Sequence, residues 1–427
     1  MGLNIFSILL FFFSSSLQFQ VPFKLKAQIY QYPLNLKLYR NLLEVEKPSS
    51  ILAVPIVSVD IGTPTSSYNL IYSTGTTASL TLNDNCVTTL QNPFLNTQSS
   101  TCDKEDGSYE SNSYTYGGLT SVFNDYINFS DNSAGRIKMK FFNYFHYSPN
   151  TLISDGELGM SKRYKSLYTD PYITKEVEQF SIIEQLYANN IIDKRVFAHQ
   201  YKNDKEGTVF IGEEPKGDLI KYTCKGTQSK GEPSNYWNCP ISTFKIDNKE
   251  IQIDYNTNIA MFSTGERFIF VPEESQGIIE YIKSYSTWGK EHCTLDVHVA
   301  YQELHCDYKG FKYSYFPTVS VTFGEYGIEL KPEDVFYYNY NNKYYRLLLV
   351  IYNMKKYWII GSPVLKGHNM IFNVDEDTVT FFTEKKSKVG LIAAVLILLL
   401  IIGGIVAWFI RRNNKKKAFA VNDFYKL

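Results

Sequence analysis

Hydrophobic and polar residues alternate with a period of two over much of this chain, which is the pattern of half-buried β-strands. The stretch ILAVPIVSVDIGTPTSSYNLIYSTG, residues 51–75, alternates in this way on both sides of a turn at IGTP. The run TVSVTFGEYGIELKPEDVFYYNY, which starts at Thr318, has the same pattern. The chain is also rich in tyrosine and phenylalanine, which favour strands over helices. The pattern therefore predicts a mostly β protein.

Two segments have the helical period instead. In FSIIEQLYANNII, residues 180–192, the apolar positions fall on one helical face. Ser181 is the predicted N-cap, and Glu184 three residues later would complete a capping box. SQGIIEYIKSY, residues 275–285, has a similar pattern. We expect one or two short helices in each half of the β structure.

Two uninterrupted apolar runs frame the chain. IFSILLFFF, residues 5–13, is too short to span a bilayer and predicts a secretory signal peptide over residues 1–20, with a buried amino-terminal strand as the alternative. VGLIAAVLILLLIIGGIVAWFI, residues 389–410, is uncharged and long enough for a transmembrane helix, with a buried core helix as the alternative. Arginines and lysines follow it, so residues 411–427 form the predicted cytoplasmic tail.

These runs predict a single-pass type I membrane protein of the secretory pathway, at the cell surface or in an endolysosomal compartment. Lys+Arg 43 balance Asp+Glu 43, so the composition offers no basic surface for a nucleic-acid partner. The sequon that begins at Asn128 is a predicted glycosylation site on the exported side.

An even number of cysteines in an exported chain indicates disulfide bonds. The six cysteines are Cys86, Cys102, Cys224, Cys239, Cys293 and Cys306. Several pairings are open, and the sequential one, which closes three short loops, is the simplest. The chain has no C-x-x-C spacing, so these residues do not predict a zinc site.

The chain also contains a weak internal repeat. In the first half, IYSTG at residues 71–75 is followed by DGELGM at residues 155–160. In the second half, MFSTG at residues 261–265 is followed by YWIIGS at residues 357–362. Each half thus has an apolar strand ending in Ser-Thr-Gly and a later apolar segment beside a glycine.

This repeat predicts two similar lobes, residues 51–220 and 221–384, with a cleft between them. Residues 28–50 contain basic residues and have some amphipathic character. They are either a pro-segment or the first strand and its lead-in.

Seven segments in order resemble the pepsin-like aspartic proteases. They are VDIGTPTSSYNLIYSTGTT, YTYGGLTS, SDGELGM, IIEQLYANNIIDKRVFAHQY with GTVFIGEEP, YWNCPISTFKI, IAMFSTGERFIFVP and YWIIGSPVLKGHNMIFNVDEDTVTFF. The resemblance implies a bilobal, mostly β aspartic-protease fold, here followed by a single transmembrane helix. It also implies that Tyr116 is the flap tyrosine and that Gly75, Gly265 and Glu266 line the substrate side of the active-site loops.

The chemistry of that family needs two carboxylates about 3 Å apart that share one proton. In this sequence Ser73 and Ser263 stand at the two matching positions. A hydroxyl does not polarise water as a carboxylate does. The resemblance therefore predicts a protein without the family's catalytic activity, a monomer without a cofactor, which binds a peptide or protein in its cleft.

Three alternatives stay open. An active aspartic-type endopeptidase would need a replacement acid, for which Glu266 is a better candidate than Asp60 or Asp155. A nucleophilic serine would need a base, yet the segments expected to form the cleft floor contain no histidine. A purely structural surface protein with a closed cleft is the third.

One further cluster, between Cys293 and Cys306, contains Asp296, His298, Glu303 and His305. Its spacing matches no zinc pattern. We interpret it as a solvated loop closed by a disulfide rather than a metal site.

Overall fold

The protein is described by a computed structural model. It describes residues 19–27, 53–75, 80–82, 99–100, 102–104, 109–112, 117–129, 136–144, 155–162, 181–227, 236–254, 257–298, 301–339, 342–352, 356–385, 399–409 and 411. Tyr116, Cys86, the possible pro-segment 28–50 and most of the predicted signal peptide lie outside these residues.

The described part of the chain is mostly β, as the alternation predicts. The first twelve strands are β1 (Phe19–Ala27), β2 (Ala53–Ile61), β3 (Ser66–Ser73), β4 (Leu80–Leu82), β5 (Asp103–Lys104), β6 (Tyr109–Asn112), β7 (Gly117–Phe129), β8 (Ile137–Tyr144), β9 (Gly156–Gly159), β10 (Val196–Tyr201), β11 (Glu206–Ile211) and β12 (Leu219–Lys225). The others are β13 (Asn238–Ile246), β14 (Lys249–Glu250), β15 (Ile259–Phe262), β16 (Ile269–Pro272), β17 (Cys293–Val297), β18 (Tyr301–Asp307), β19 (Val319–Phe323), β20 (Tyr326–Leu330), β21 (Phe336–Asn339), β22 (Tyr344–Tyr352), β23 (Trp358–Ile360), β24 (Asn369–Asn373) and β25 (Thr378–Glu384).

The strands form two large sheets. The first has 14 strands in the order β12-β25-β24-β10-β11-β1-β2-β3-β9-β4-β8-β7-β5, with β6 paired to β7. The second has 11 strands in the order β17-β18-β22-β16-β23-β15-β13-β19-β20, with β14 and β21 paired to β13 and β22. The last two strands of the chain thus belong to the first sheet, so the predicted boundary after residue 220 separates the two halves of the repeat but not the two sheets.

The first sheet begins earlier in the chain than the sequence analysis places it. Strand β1 pairs antiparallel with β11, where Phe19 lies opposite Ile211, and with β2, where Phe23 lies opposite Val57. Val21 and Phe23 are buried in the main core. Phe19 and Gln20 fall within the predicted signal peptide, so a signal peptide that leaves β1 intact ends before Phe19.

The hairpin of β2 and β3 carries the first Ser-Thr-Gly segment. Its strands pair antiparallel with Ile56 opposite Ile71, and the IGTP turn joins them. Gly62 in that turn has a φ of 88°, a left-handed conformation that favours glycine. The antiparallel register places Ser73 at the end of β3, where residues 70–73 are all buried.

The helices are short. They are α1 (Ile182–Ala188), α2 (Gln276–Ser284), α3 (Thr287–His292), α4 (Pro332–Val335) and α5 (Ser362–Leu365), with 3₁₀ turns at Glu273–Ser275 and Tyr313–Tyr315. Helix α1 begins after Ser181 as predicted, but the capping box does not form. The Ser181 hydroxyl donates to the carbonyl of Ser161 instead, and Glu184 forms an ion pair with Arg195 at 3.1 Å.

Two of the three sequential disulfides are confirmed. Cys224 is bonded to Cys239 and Cys293 to Cys306, with Cα atoms 5.8 and 4.0 Å apart. The third pair, Cys86 with Cys102, stays a prediction because Cys86 lies outside the described residues.

The contacts divide the chain into two compact units. The first comprises residues 1–216 and 221–382 and contains nearly all of both sheets, and the second comprises residues 217–220 and 383–427. In the second unit, residues 399–409 are helical and exposed. Among the residues that the structure describes, no helix is long and apolar enough to cross a membrane. Much of the predicted span, residues 389–410, lies outside those residues, so the anchor stays a prediction.

Candidate functional site

The first Ser-Thr-Gly segment begins at the end of a strand that pairs in parallel with a later strand. Strand β3 pairs in parallel with β9, and Ser73 lies opposite Gly159. The carbonyl of Ser73 accepts the N–H of Met160 at 2.8 Å. At the start of this pairing, Asp155 accepts the N–H of Asn69 at 2.8 Å through its carboxylate and donates its own N–H to the carbonyl of Asn69 at 2.8 Å. The loop therefore leaves the sheet in a fixed direction.

The second segment repeats this arrangement. Strand β15 leads into Ser263 and pairs in parallel with β23, and the N–H of Ser263 donates to the carbonyl of Ile360 at 3.0 Å. Beyond β23, the N–H of Ser362 donates to the carbonyl of Glu266 at 2.6 Å. The Ser362 hydroxyl donates to the carbonyl of Ala53 at 2.6 Å, which ties this loop to strand β2.

The two threonines join the loops through reciprocal hydrogen bonds. The N–H of Thr74 donates to Oγ1 of Thr264, and the N–H of Thr264 donates to Oγ1 of Thr74, both at 3.1 Å. The hydroxyl of Thr74 donates to the carbonyl of Phe262 at 2.9 Å, and that of Thr264 donates to the carbonyl of Tyr72 at 2.7 Å. Both threonines are buried, so each bond satisfies a group that would otherwise be costly to remove from water.

Each glycine of the repeat lies against the serine of the opposite segment. A Cβ atom at Gly75 would lie 2.8 Å from Cβ of Ser263, and one at Gly265 would lie 2.8 Å from Oγ of Ser73. Both distances are shorter than real side chains tolerate, so glycine is needed at both positions. The structure thus brings together four residues that the sequence analysis placed at the site.

Ser73 and Ser263 are each only 2 % exposed. They are the residues at which the sequence analysis expects the carboxylates of a shared-proton mechanism, and hydroxyl groups do not ionise in the range where carboxylates do. The two loops therefore hold a pair of buried, neutral hydroxyl groups at these positions.

Two glutamates lie beside this neutral centre. Glu266 follows Gly265 directly and is half-buried. Glu157 is fully buried in β9, opposite Ile71 of β3. Burial and, to a smaller extent, the charge of Glu157 raise the pKa of Glu266 to about 7, although Arg267 opposes the shift. A site next to the serines can therefore hold a proton at neutral pH.

Sequence reasoning selected Glu266 but missed Glu157. The available signal was the segment SDGELGM, in which a glutamate stands within a run otherwise interpreted as apolar. The other two candidate acids both accept hydrogen bonds. Asp60 is on β2 and accepts from the Ser67 hydroxyl, and Asp155 accepts the Asn69 N–H as described above.

One of the described histidines lies next to the first Ser-Thr-Gly segment. His199 is buried and accepts or donates at both ring nitrogens, with the Tyr72 hydroxyl 3.3 Å from Nδ1 and the His368 carbonyl 3.1 Å from Nε2. It therefore contacts the strand that leads to Ser73, a relation that spacing in the sequence does not reveal.

The acidic and histidine cluster lies on the β17–β18 hairpin rather than in the solvated loop expected from the sequence, and Glu303 is buried there. His305 lies 2.9 Å from Asp296 through Nδ1 and 2.7 Å from Glu303 through Nε2. His298 lies 3.8 Å from Glu303, and Arg346 forms an ion pair with the same carboxylate. Among the described residues, no group of three or more histidine, cysteine or acidic side chains is arranged to hold a metal ion.

The predicted glycosylation residue Asn128 lies in β7 opposite Asp60 and is half-buried. Its sequon ends outside the described residues, so modification there stays a prediction. The same holds for the flap role of Tyr116.

Comparison with protein families agrees with the paired loops. The model of the eukaryotic aspartyl proteases matches residues 56–383, which include both Ser-Thr-Gly segments and both parallel-strand pairs. The chain belongs to this family. Among curated proteins, no match to the chain is found. For this aspartyl protease family member, the expectation of a mostly β protein of that family is confirmed, and the structure has two sheets.

Proposed function

We propose that this member of the aspartyl protease family binds a peptide or protein segment in its cleft without cleaving it by the shared-proton mechanism. The observation that carries the proposal is the pair Ser73 and Ser263 within intact, mutually bonded loops. An eroded site would be expected to lose the threonine bonds along with the acids. Here the threonine hydrogen bonds are present, while Ser73 and Ser263 carry no charge.

A neutral floor suits binding. An extended peptide in such a cleft can be held by main-chain hydrogen bonds, as in other strand-lined grooves. The predicted signal peptide and transmembrane helix further support an exported protein anchored once in a membrane, either at the cell surface or in the endolysosomal system. Under this proposal the protein acts as a monomer and needs no cofactor.

The test restores the missing acids. Full-length protein and the double variant Ser73→Asp with Ser263→Asp are assayed on an unfolded protein substrate from pH 3 to 7, with and without a statine-type inhibitor. We expect the natural chain to bind the inhibitor without cleaving the substrate and the double variant to gain inhibitable cleavage. Inhibitable cleavage by the natural chain would contradict the proposal.

Glu266 supports a second candidate, an aspartic-type endopeptidase with displaced acids. Its raised pKa lets the Glu266 carboxyl keep a proton up to about pH 7, and the nearby carboxyl of Glu157 would have to act as the base that such catalysis also needs. This candidate predicts cleavage that disappears in both Glu266→Gln and Glu157→Gln. Exposed Glu274 of the same lobe supplies the control Glu274→Gln.

The two proposals also differ from a closed structural protein. Failure of the full-length protein to bind any member of a diverse peptide library would favour the closed cleft. Binding that competes with the statine-type inhibitor would favour an open one.

A further inference from the structure

Two histidines lie where a late strand of the second half joins a strand of the first. Strand β10 pairs antiparallel with β24, and His199 of β10 lies opposite Met370. His368 immediately precedes β24. This junction, which we call the histidine joint, consists of His199, His368 and their hydrogen-bond partners Tyr72 and Tyr326.

The hydrogen bonds define the proton positions on His199. A carbonyl oxygen only accepts, so Nε2 of His199 carries the proton that is donated to the His368 carbonyl at 3.1 Å. Nδ1 then accepts from the Tyr72 hydroxyl at 3.3 Å. The neutral ring satisfies both partners, and added charge is not needed for either bond.

Hydrogen bonds connect the histidine joint to the Ser-Thr-Gly loops through Tyr72 and to β20 through Tyr326. Tyr72 precedes Ser73, and its carbonyl accepts from the Thr264 hydroxyl at 2.7 Å. On the far side, the Tyr326 hydroxyl lies 2.7 Å from Nδ1 of His368. Tyr72 therefore links His199 to the hydrogen bonds that join the two Ser-Thr-Gly loops.

The surroundings of His199 are unfavourable for a positive charge. The groups that face it are Tyr72 from β3, Tyr201 from its own strand, Phe372 from β24 and the His368 carbonyl. None of these, within the described structure, carries a negative charge. Tyr326 faces His368 edge-on, and His368 is itself half-buried.

Burial accordingly lowers the pKa of His199 to about 3 and that of His368 to about 4. In an unfolded chain both would titrate near their ordinary value of 6.5. Below that pH the unfolded chain binds more protons than the folded one, so folding stability is complete above pH 6.5 and falls as the pH drops. Each histidine contributes up to about a tenfold rise in the unfolding constant per pH unit.

We propose that the histidine joint is an acid-sensitive device, which keeps the cleft intact at neutral pH and loosens β10 from β24 in acid. The part that concerns ligand release rests on the proposed function, since it assumes a ligand in the cleft. The joint favours work at a neutral surface over work in an acidic compartment, a choice that the sequence leaves open.

The first test measures stability without any ligand. Urea unfolding of the full-length protein in a non-ionic detergent is followed by tryptophan fluorescence between pH 7.5 and 4.5. We expect the unfolding constant to rise steeply below pH 6.5, and His199→Gln and His368→Gln each to reduce the slope by up to tenfold per pH unit. His298→Gln, at an exposed histidine, serves as the matched control and should leave the slope unchanged. Equal slopes in all four proteins would overturn the proposal.

A second measurement does not depend on whether the variants fold. In the full-length protein with ¹³C-labelled histidine, the His199 and His368 signals should not titrate between pH 7.5 and 5 while the chain remains folded. Titration of either signal near pH 6.5 in the folded protein would contradict the proposal.

A third arm separates this proposal from the proposed function. A statine-containing peptide is bound at pH 7.5, and the pH is lowered to the value at which the stability measurement shows the natural chain to lose its fold and the His199→Gln chain to keep it. Release from the natural chain, with retention by His199→Gln, supports the joint. Absence of binding at every pH counts against the proposed function, and the two measurements without ligand then decide whether the joint exists.

Discussion

The two Ser-Thr-Gly loops share their hydrogen bonds and differ in their charges. In both, a strand runs parallel to a later one, a serine ends or follows the strand, and a threonine bonds across to its counterpart. The first loop lies beside the fully buried Glu157, whereas the second contains the half-buried Glu266 within the loop itself. The backbone frame is thus symmetric while the ionisable groups are not.

This difference shows which parts of the site depend on one another. The threonine bonds run between main-chain groups and hydroxyls and need no charge, so they form in loops that carry serine at residues 73 and 263. The glutamate side chains take no part in those bonds, and the pKa of Glu266 is raised by burial and by the charge of Glu157. Variants of the threonines and variants of the glutamates therefore test the hydrogen bonds and the charges separately.

The largest effect is expected at the threonines. Thr74→Ala removes the hydroxyl that accepts from the Thr264 N–H and donates to the Phe262 carbonyl, and it leaves both groups buried. Loss of about 2–4 kcal/mol of unfolding free energy follows from two unsatisfied groups. Urea unfolding measures the loss, with Thr74→Ser as the control that keeps the hydroxyl.

Thr264→Ala tests the symmetry directly, because its hydroxyl makes the equivalent bonds. We expect a loss within about 1 kcal/mol of that for Thr74→Ala. A small effect at one threonine and a large effect at the other would show that the two loops are not equivalent in energy.

The sequence predicts the strands and loops of the site better than the contacts between distant segments. The period-two alternation predicts the strands because it is a local pattern, and the family resemblance places Ser73 and Ser263 at matching positions of the two halves. The position of β24 beside β10 was not predicted, because pairing between distant segments leaves no spacing signal. The sequence also did not predict that Glu157 lies near Glu266 or that Tyr72 bonds to His199, because each contact joins residues that are distant in the sequence.

The glycines should give the next largest effect. Gly75→Ala places a methyl group against the side chain of Ser263, and Gly265→Ala places one against Oγ of Ser73. Overpacking of this kind costs about 1–3 kcal/mol. We expect the higher cost at Gly75, because the added methyl group would clash with both Cβ and Oγ of Ser263, whereas at Gly265 it would clash mainly with Oγ of Ser73. Thermal unfolding compares the two variants. Adding Ser263→Gly to Gly75→Ala should recover part of the loss, and failure to recover it would place the clash elsewhere.

Glu266 provides the pH-dependent test. Its pKa in the folded protein is raised to about 7 from an ordinary value of 4.5, so its stability contribution is present at low pH and is lost as the pH rises between these values. Glu266→Gln removes that loss and should stabilise the protein at pH 8 by about 1–2 kcal/mol, with little change at pH 4.5. Glu274→Gln is the exposed control. Equal effects at both pH values would mean that Glu266 is not strained by burial and by Glu157.

Ser362→Ala should have the smallest effect and the most informative pH profile. The hydroxyl of Ser362 donates one hydrogen bond to the Ala53 carbonyl, so its removal costs about 0.5–1.5 kcal/mol, less than the loss of a threonine hydroxyl with two partners. Neither the hydroxyl nor the carbonyl titrates, so urea unfolding at pH 5 and pH 8 should give the same loss. The main-chain N–H of the same residue donates to the carbonyl of Glu266. A loss that grows with pH would therefore show that the symmetric frame and the asymmetric charges are coupled through this contact, and the separation between the hydrogen bonds and the charges would no longer hold.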